Sequence, residues 1–275
     1  MPEYEDFDRE RWAASRAAPL PDLTRSDAGT VDRGDLLEIY APLSELIGRR
    51  AGDDPAPDPV PYVVSIVGSV AVGKSTSARA LRAMLELGPP GRAVDVVTTD
   101  GFLYPNRVLA ARGLADRKGF PETFDRDAFN EFLRSVKRGV PEVRAPSYSH
   151  EIYDIVTDAP QIVRKPDVLI VEGLPLTTDH VDLAIYVDAD EHDIEEWYVE
   201  RFLALCREAV DDDASFFRSF VGYSDAQISA IAHDVWASIN RVNLHEFILP
   251  ARDGCDVILE KQSDHRVRRV RLRTS

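Results

Sequence analysis

The sequence predicts an α/β fold, a three-layer sandwich with a mostly parallel central sheet between layers of helices. Two observations predict it. From residue 62 onward, short apolar runs rich in β-branched residues alternate with stretches of helical period. A glycine-rich loop also stands where the first of those runs gives way to the first of those helices. With 275 residues, the chain has the length of one large domain plus a small extension. Residues 1–60 read as an N-terminal helical extension ending in a Pro/Asp-rich linker, and residues 61–275 as the main domain.

The elements follow in chain order. Residues 1–34 are polar and charged, so partial order is expected there. Leu36, Leu37, Ile39, Tyr40, Leu43, Leu46 and Ile47 recur near helical spacing and predict a helix over 33–49. GDDPAPDPVP comes next and excludes regular structure. YVVSIVG, from Tyr62 to Gly68, reads as a strand covered on both faces. A helix is expected from Lys74 to Leu87, a second strand from Ala93 to Asp100, and an amphipathic helix from Arg126 to Arg138. DVLIVEG and DLAIYVD read as two more buried strands. Helices are expected near 190–209 and 224–239, and DVILEK and RVRRVRLR close the chain as strands. No internal repeat appears.

Composition excludes several classes. The net charge of −15 argues against a basic nucleic-acid footprint. No run approaches the ~18 apolar residues of a membrane span. The acidic start MPEYEDFDRERWAASR has no apolar region, so no signal peptide is expected. Cys206 and Cys255 lack metal-ligand spacing and read as free thiols of a reducing cytoplasm.

Gly68-Ser69-Val70-Ala71-Val72-Gly73-Lys74-Ser75 matches G-x-x-x-x-G-K-[ST], the phosphate loop of P-loop NTPases. Glycines let backbone N–H groups approach phosphate oxygens, Lys74 faces the β- and γ-phosphates, and the Ser75 hydroxyl ligates Mg²⁺. The helix N-terminus after the loop favours the same anion. ATP and Mg²⁺ are therefore the expected cofactors. Thr76 supports Ser75 or simply starts the helix. Arg79 shares a helix face with Ser75 and either reaches the phosphates or stands in solvent.

Ligands of such sheets lie at the carboxyl ends of the strands. Asp100, Glu172 and Asp188 stand there. Asp100 is the candidate base and Glu172 the candidate metal-associated acid, each with loop capping as the alternative; for Asp188 capping is preferred. PSYSHEIYD places Tyr148, His150 and Tyr153 in a short polar-aromatic cluster suited to the wall of a substrate pocket. Strand alternation puts Tyr148 and His150 on one face and Tyr153 on the other unless the chain bends. Arg201 lies one turn from Trp197 and Tyr198 on an apolar stripe, where it needs an anion, a carboxylate or a route to solvent.

These motifs together resemble the bacterial type I pantothenate kinases. GSVAVGKSTSAR, TTDGFLYPN, RGLADRKGFPETFD, PSYSHEIYD, VLIVEG, WYVERFL, Ile239-Asn240, ILP at 248–250 and the closing VRLR carry the resemblance from residue 33 to the C-terminus. It implies ATP-dependent phosphorylation of pantothenate, the first step of coenzyme A synthesis. It implies further that Asp100 is the base, Arg201 steadies the transferring phosphoryl, and Lys74, Ser75 and Arg79 serve Mg-ATP. Tyr148, His150, Tyr153, Tyr198 and Asn240 would contact pantothenate, and Lys261 and His265 would lie near the adenine. A cytoplasmic homodimer with coenzyme A as feedback inhibitor is implied as well. The chain departs from the family in a shorter segment after Gly173 and in Leu205 and Val210, where the family has rings near the pantothenate tail. Less ring surface is therefore expected there. The alternatives are a kinase of another small polar alcohol, such as a nucleoside or sugar acid, and a non-catalytic nucleotide- or coenzyme A-sensing protein.

Overall fold

The computed structural model describes residues 2–19, 31–52, 60–88 and 91–274. Its strands are β1 Tyr4–Asp8, β2 Tyr62–Gly68, β3 Val94–Thr98, β4 Val143–Ser149, β5 Asp154–Val163, β6 Val168–Gly173, β7 Leu183–Asp188, β8 Val257–Lys261 and β9 Val267–Arg273. The α-helices are α1 Arg9–Ala14, α2 Arg33–Asp35, α3 Ala41–Ala51, α4 Lys74–Leu87, α5 Asn106–Ala111, α6 Arg126–Lys137, α7 Glu191–Glu208, α8 Asp225–Val235 and α9 Arg241–Asn243. A π-helical turn, Leu36–Tyr40, joins α2 to α3, and another, Trp236–Asn240, joins α8 to α9.

Seven strands form the main sheet in the order β1-β9-β8-β7-β2-β6-β3. The pairs β3–β6, β6–β2, β2–β7 and β7–β8 are parallel, as their continuous apolar runs demand, while β8–β9 and β9–β1 are antiparallel. Alternation sends Val64, Ile66, Val168 and Ile170 to one face, against α4 and the helices at 33–51. Val63, Leu169 and Val171 go to the other face, against α6 and the separate β4–β5 hairpin. These are the two outer layers. A third cluster ties α7 to α8 through Phe202, Cys206, Phe217, Ile228 and Ala232. Cys206 and Cys255 are free and buried. No helix among the described residues is long and apolar enough to cross a membrane.

Two expectations change. Partial order over 1–34 gives way, at its start, to β1 and α1, so the N-terminal extension supplies an edge strand to the main sheet. Its linker falls mainly at 53–59, outside the described residues. The second strand stops at Thr98, and Asp100 belongs to a 3₁₀ turn, Thr99–Phe102, rather than to the strand.

Candidate active site

The phosphate loop spans the gap between β2 and α4. Gly73 caps α4 with φ 96°, a left-handed conformation, and a Cβ there would stand 2.8 Å from Lys261 Nζ. Lys74 Nζ donates to Ser69 O at 2.7 Å, which holds the ammonium inside the loop. Ser75 Oγ donates to Glu172 Oε1 at 3.0 Å, joining the start of α4 to the end of β6. Lys261 Nζ donates to Val72 O at 3.0 Å and lies 5.3 Å from the Trp197 ring, on which His265 stacks at 4.2 Å. Of the loop's neighbours, Arg79 is exposed and among the described residues donates only to Thr76 Oγ1, at 3.4 Å.

Asp100 stands beside this loop. Thr98 pairs in register with Glu172, so the turn that follows β3 carries Asp100 past the end of β6. The Asp100 amide donates to Thr98 Oγ1 at 3.3 Å, which fixes the turn. Burial pulls the Lys74 pKa down while Glu172 and Asp100 pull it up. Burial pushes Glu172 up against the pull of Lys74. Two carboxylates and one ammonium thus share a poorly hydrated corner, where an Mg-nucleotide would rebalance the charge. Asp188 instead accepts from Arg252 Nε at 2.7 Å.

On the far side of Asp100 the polar-aromatic cluster closes up. β4 ends at Ser149 and the chain bends, with Tyr153 at φ 53°. The rings of Tyr148 and His150 lie 5.2 Å apart and those of Tyr148 and Tyr153 6.1 Å apart. The strand-face split of these residues held only for an unbent chain; the chain bends here, and the turn brings all three together. Burial raises the Tyr148 and Tyr153 pKa values, with Asp100 adding to both. Burial lowers that of His150; Asp100 opposes this, and Arg201, Lys74 and Lys118 reinforce it. Tyr198, pushed up to about 12 by burial, stands beside Asn240, whose buried Nδ2 makes no hydrogen bond among the described residues. Arg201 is exposed rather than buried in the apolar stripe, and among the described residues it makes no ion pair. It is nonetheless close enough to act on the ionisation of Lys74, His150, Tyr153 and Tyr198.

This constellation has relatives. Residues 63–201 match the Phosphoribulokinase / Uridine kinase family. A protein of Myxococcus xanthus named "Pantothenate kinase" is 44% identical over 302 aligned residues, covering 98% of this chain and 95% of the relative. One of Sorangium cellulosum with the same name is 46% identical, covering 98% and 97%. The chain belongs to the pantothenate kinase family. The fold agrees: a putative fructose transport system kinase from a Silicibacter species has TM-score 0.57 at 25% identity over 75% of this chain and 92% of its own. A D-glycerate 3-kinase from Cryptococcus neoformans has TM-score 0.58 at 15% identity, over 83% and 94%.

The pantothenate kinase alignments exceed this chain's 275 residues, so the relatives carry residues that it lacks. Rings nonetheless gather beside Tyr153 and α7. Phe216 stacks on Tyr153 at 4.8 Å, and Phe217 and Phe220 lie 5.4 and 5.2 Å from Phe202. Val210 is 48% exposed and takes no part in this cluster, while Leu205 packs at its edge.

Two more polar groups join the site without having been singled out in the sequence. Lys118 Nζ donates to Asn106 Oδ1 at 2.7 Å and to Tyr153 O, and lies 4.1 Å from the Tyr153 ring and 5.1 Å from the Tyr148 ring. Burial pulls its pKa down to about 8, against Asp154 and Asp100. Asn243 Nδ2 donates to Gly119 O at 2.7 Å and so steadies the turn beside Lys118. A lone lysine in a loop and an asparagine inside a helix carry no periodic signal; only the fold gathers them.

Proposed function

We propose that this chain transfers the γ-phosphoryl group of ATP to the hydroxyl of pantothenate, the opening step of coenzyme A synthesis. The observation that carries this reading is the position of Asp100 between a phosphate loop and a polar-aromatic pocket, within electrostatic reach of Lys74 on one side and of Lys118, Tyr148 and Tyr153 on the other. Asp100 accepts the hydroxyl proton. The acceptor oxygen attacks the γ-phosphorus, the bond to the β–γ bridging oxygen breaks, and ADP leaves. Lys74 and Arg201 meet the charge on the equatorial oxygens, with Arg79 nearby on α4. The chain offers no group of three or more carboxylates, imidazoles or thiols among the described residues that would cage a metal. The Ser75–Glu172 pair suits instead Mg²⁺, which takes few protein ligands and completes its shell with phosphate and water. Bound by that pair, the ion would supply positive charge to the phosphates.

Tyr148, His150, Tyr153, Tyr198 and Asn240 hold the acceptor, the last through its buried Nδ2, which has no partner among the described residues. Lys261 and His265 face the base. The enzyme works in the cytoplasm as a homodimer. Coenzyme A competes at the nucleotide site, so it raises the apparent KM for ATP and excess ATP relieves the inhibition. The decisive experiment is an ADP-release assay across pantothenate, nucleosides and sugar acids. Turnover confined to pantothenate is expected; faster turnover of a nucleoside or sugar acid assigns the chain another acceptor.

A further inference from the structure

The base side of the site depends on a turn, and the turn depends on the N-terminal arm. Residues 262–266 connect β8 to β9 and are flanked by Lys261 and Val267. Inside the turn, the Gln262 and His265 amides donate to Arg266 O and Gln262 O, each at 2.9 Å, and His265 sits at φ 67°. Both backbone groups of Val267 are engaged by side chains from far away in sequence. Its amide donates to Asp35 Oδ2 at 3.3 Å, and its carbonyl accepts from Arg9 Nη1 at 2.5 Å. Arg9 Nη1 also donates to Asp35 Oδ1 at 2.6 Å. Arg266 also lies 4.0 Å from Asp35, and 3.5 Å from Asp32 at the start of α2.

Asp35 is only 6% exposed, so this carboxylate costs stability unless its partners remain. Arg9 is placed by β1 and α1, where Trp12 Nε1 donates to Ile39 O at 3.0 Å and anchors the arm on the helical rod. From that rod Tyr40 OH donates to Ser77 Oγ at 2.8 Å, on the helix that carries Lys74.

We infer that Arg9 and Asp35 are positioning residues of the nucleotide site: the clasp they form on Val267 sets the β8–β9 turn and, through it, the placement of Lys261 and His265. The inference rests on the reading that those two residues face the base. Neither clasp residue touches the reacting atoms. Their effect therefore falls on ATP binding and not on the chemical step or the acceptor. The Asp35 carboxylate also lies close enough to Lys261 to favour its charged form against burial.

The test is Asp35→Asn and Arg9→Lys, with Lys261→Ala alongside, each read by calorimetric ATP affinity and steady-state kinetics. Lysine keeps a charge but loses the fork that reaches Asp35 and Val267 together. Each clasp variant is expected to raise the ATP Kd and KM about tenfold, the scale of a hydrogen bond to a charged group. Pantothenate KM and kcat should stay within about twofold, and Glu38→Gln, which removes the exposed partner of Arg9, should change little. A lower melting temperature with unchanged ATP affinity makes the clasp merely structural and overturns the inference. Should Asp35→Asn fail to fold, Arg9→Lys decides alone. If Lys261→Ala weakens ATP but the clasp variants do not, the inference fails while the base-side reading stands. If Lys261→Ala itself leaves ATP affinity intact, the base-side reading fails first.

Discussion

Asp100 owes its position to the 3₁₀ turn that follows β3, and its role separates cleanly from that of Lys74. Asparagine keeps the shape and the turn but cannot take a proton. General-base contributions run to about 10²–10⁴-fold, so Asp100→Asn should cut kcat by that range. Mg-ATP affinity should hold, because Lys74 and Ser75 remain. A loop-capping aspartate would show the reverse, with a lower melting temperature and nearly full turnover; Glu172 would then be the next base to examine. Lys118 gives a second prediction at this scale. Its pKa is lowered to about 8, so the ammonium is present below that pH and lost above it. A carboxylate-bearing acceptor such as pantothenate binds the charged form, so its KM should climb as pH passes about 8. In Lys118→Arg the charge persists and the profile should stay flat to pH 9. The same climb in both proteins would place the titrating group elsewhere. The residues most legible from sequence were Lys74 and Ser75, because phosphate binding fixes residue type and spacing along a single loop. Lys118 was not legible, since its meaning comes from Tyr153, thirty-five positions away.

Elements divide in the same way. β2, β6 and β7 are evident in the sequence because two-sided burial demands unbroken apolar runs. The α4 boundaries follow from the loop before and the glycine after. The pairing of the Asp100 turn with β4 is invisible until the fold is known. Gly101 is the residue that permits it: a Cβ there would stand 2.1 Å from Pro146 O, a backbone atom with no freedom to rotate away. Gly101→Ala must therefore push the turn off the hairpin that carries Tyr148. Overpacking of this kind costs about 1–3 kcal/mol. The displacement should also separate Asp100 from the acceptor pocket, lowering kcat/KM for pantothenate while ATP affinity is retained. Unaltered kinetics in a variant with a reduced melting temperature would show that the turn and hairpin move as one body. The bend at 149–153 is a similar case: alternation rules apply only while the strand continues, and β4 stops at Ser149, with Tyr153 in the turn that follows at positive φ.

At the scale of the molecule, the question is why a strand as polar as YEDFD joins the main sheet. Its hydrogen bonds go to β9, with Tyr4 opposite Arg273 and Asp8 opposite Arg269, and its Asp6 pairs with Arg269 and Arg271 of that strand. Such patterning looks like solvated chain in the sequence, because the complementary charges lie some 260 positions later and outward-facing strands at a sheet edge need few apolar residues. The apolar anchor is Trp12, 3% exposed in the main core. Two substitutions weigh these contributions. Asp6→Asn removes exposed ion pairs to Arg269 and Arg271, which should change stability by less than about 1 kcal/mol. Trp12→Ala empties a buried site at about 3–5 kcal/mol, or roughly a 10 °C fall in Tm for a chain of this size. An extension that merely lay against a self-sufficient domain would behave differently. Its Trp12→Ala variant would melt like the parent, and removal of residues 1–15 would leave the Tm in place. If the arm belongs to the core, that truncation instead bares the edge of β9, lowers the Tm at least as far as Trp12→Ala does, and promotes association through the unpaired strand. Thermal melts and light scattering on the two variants distinguish these behaviours.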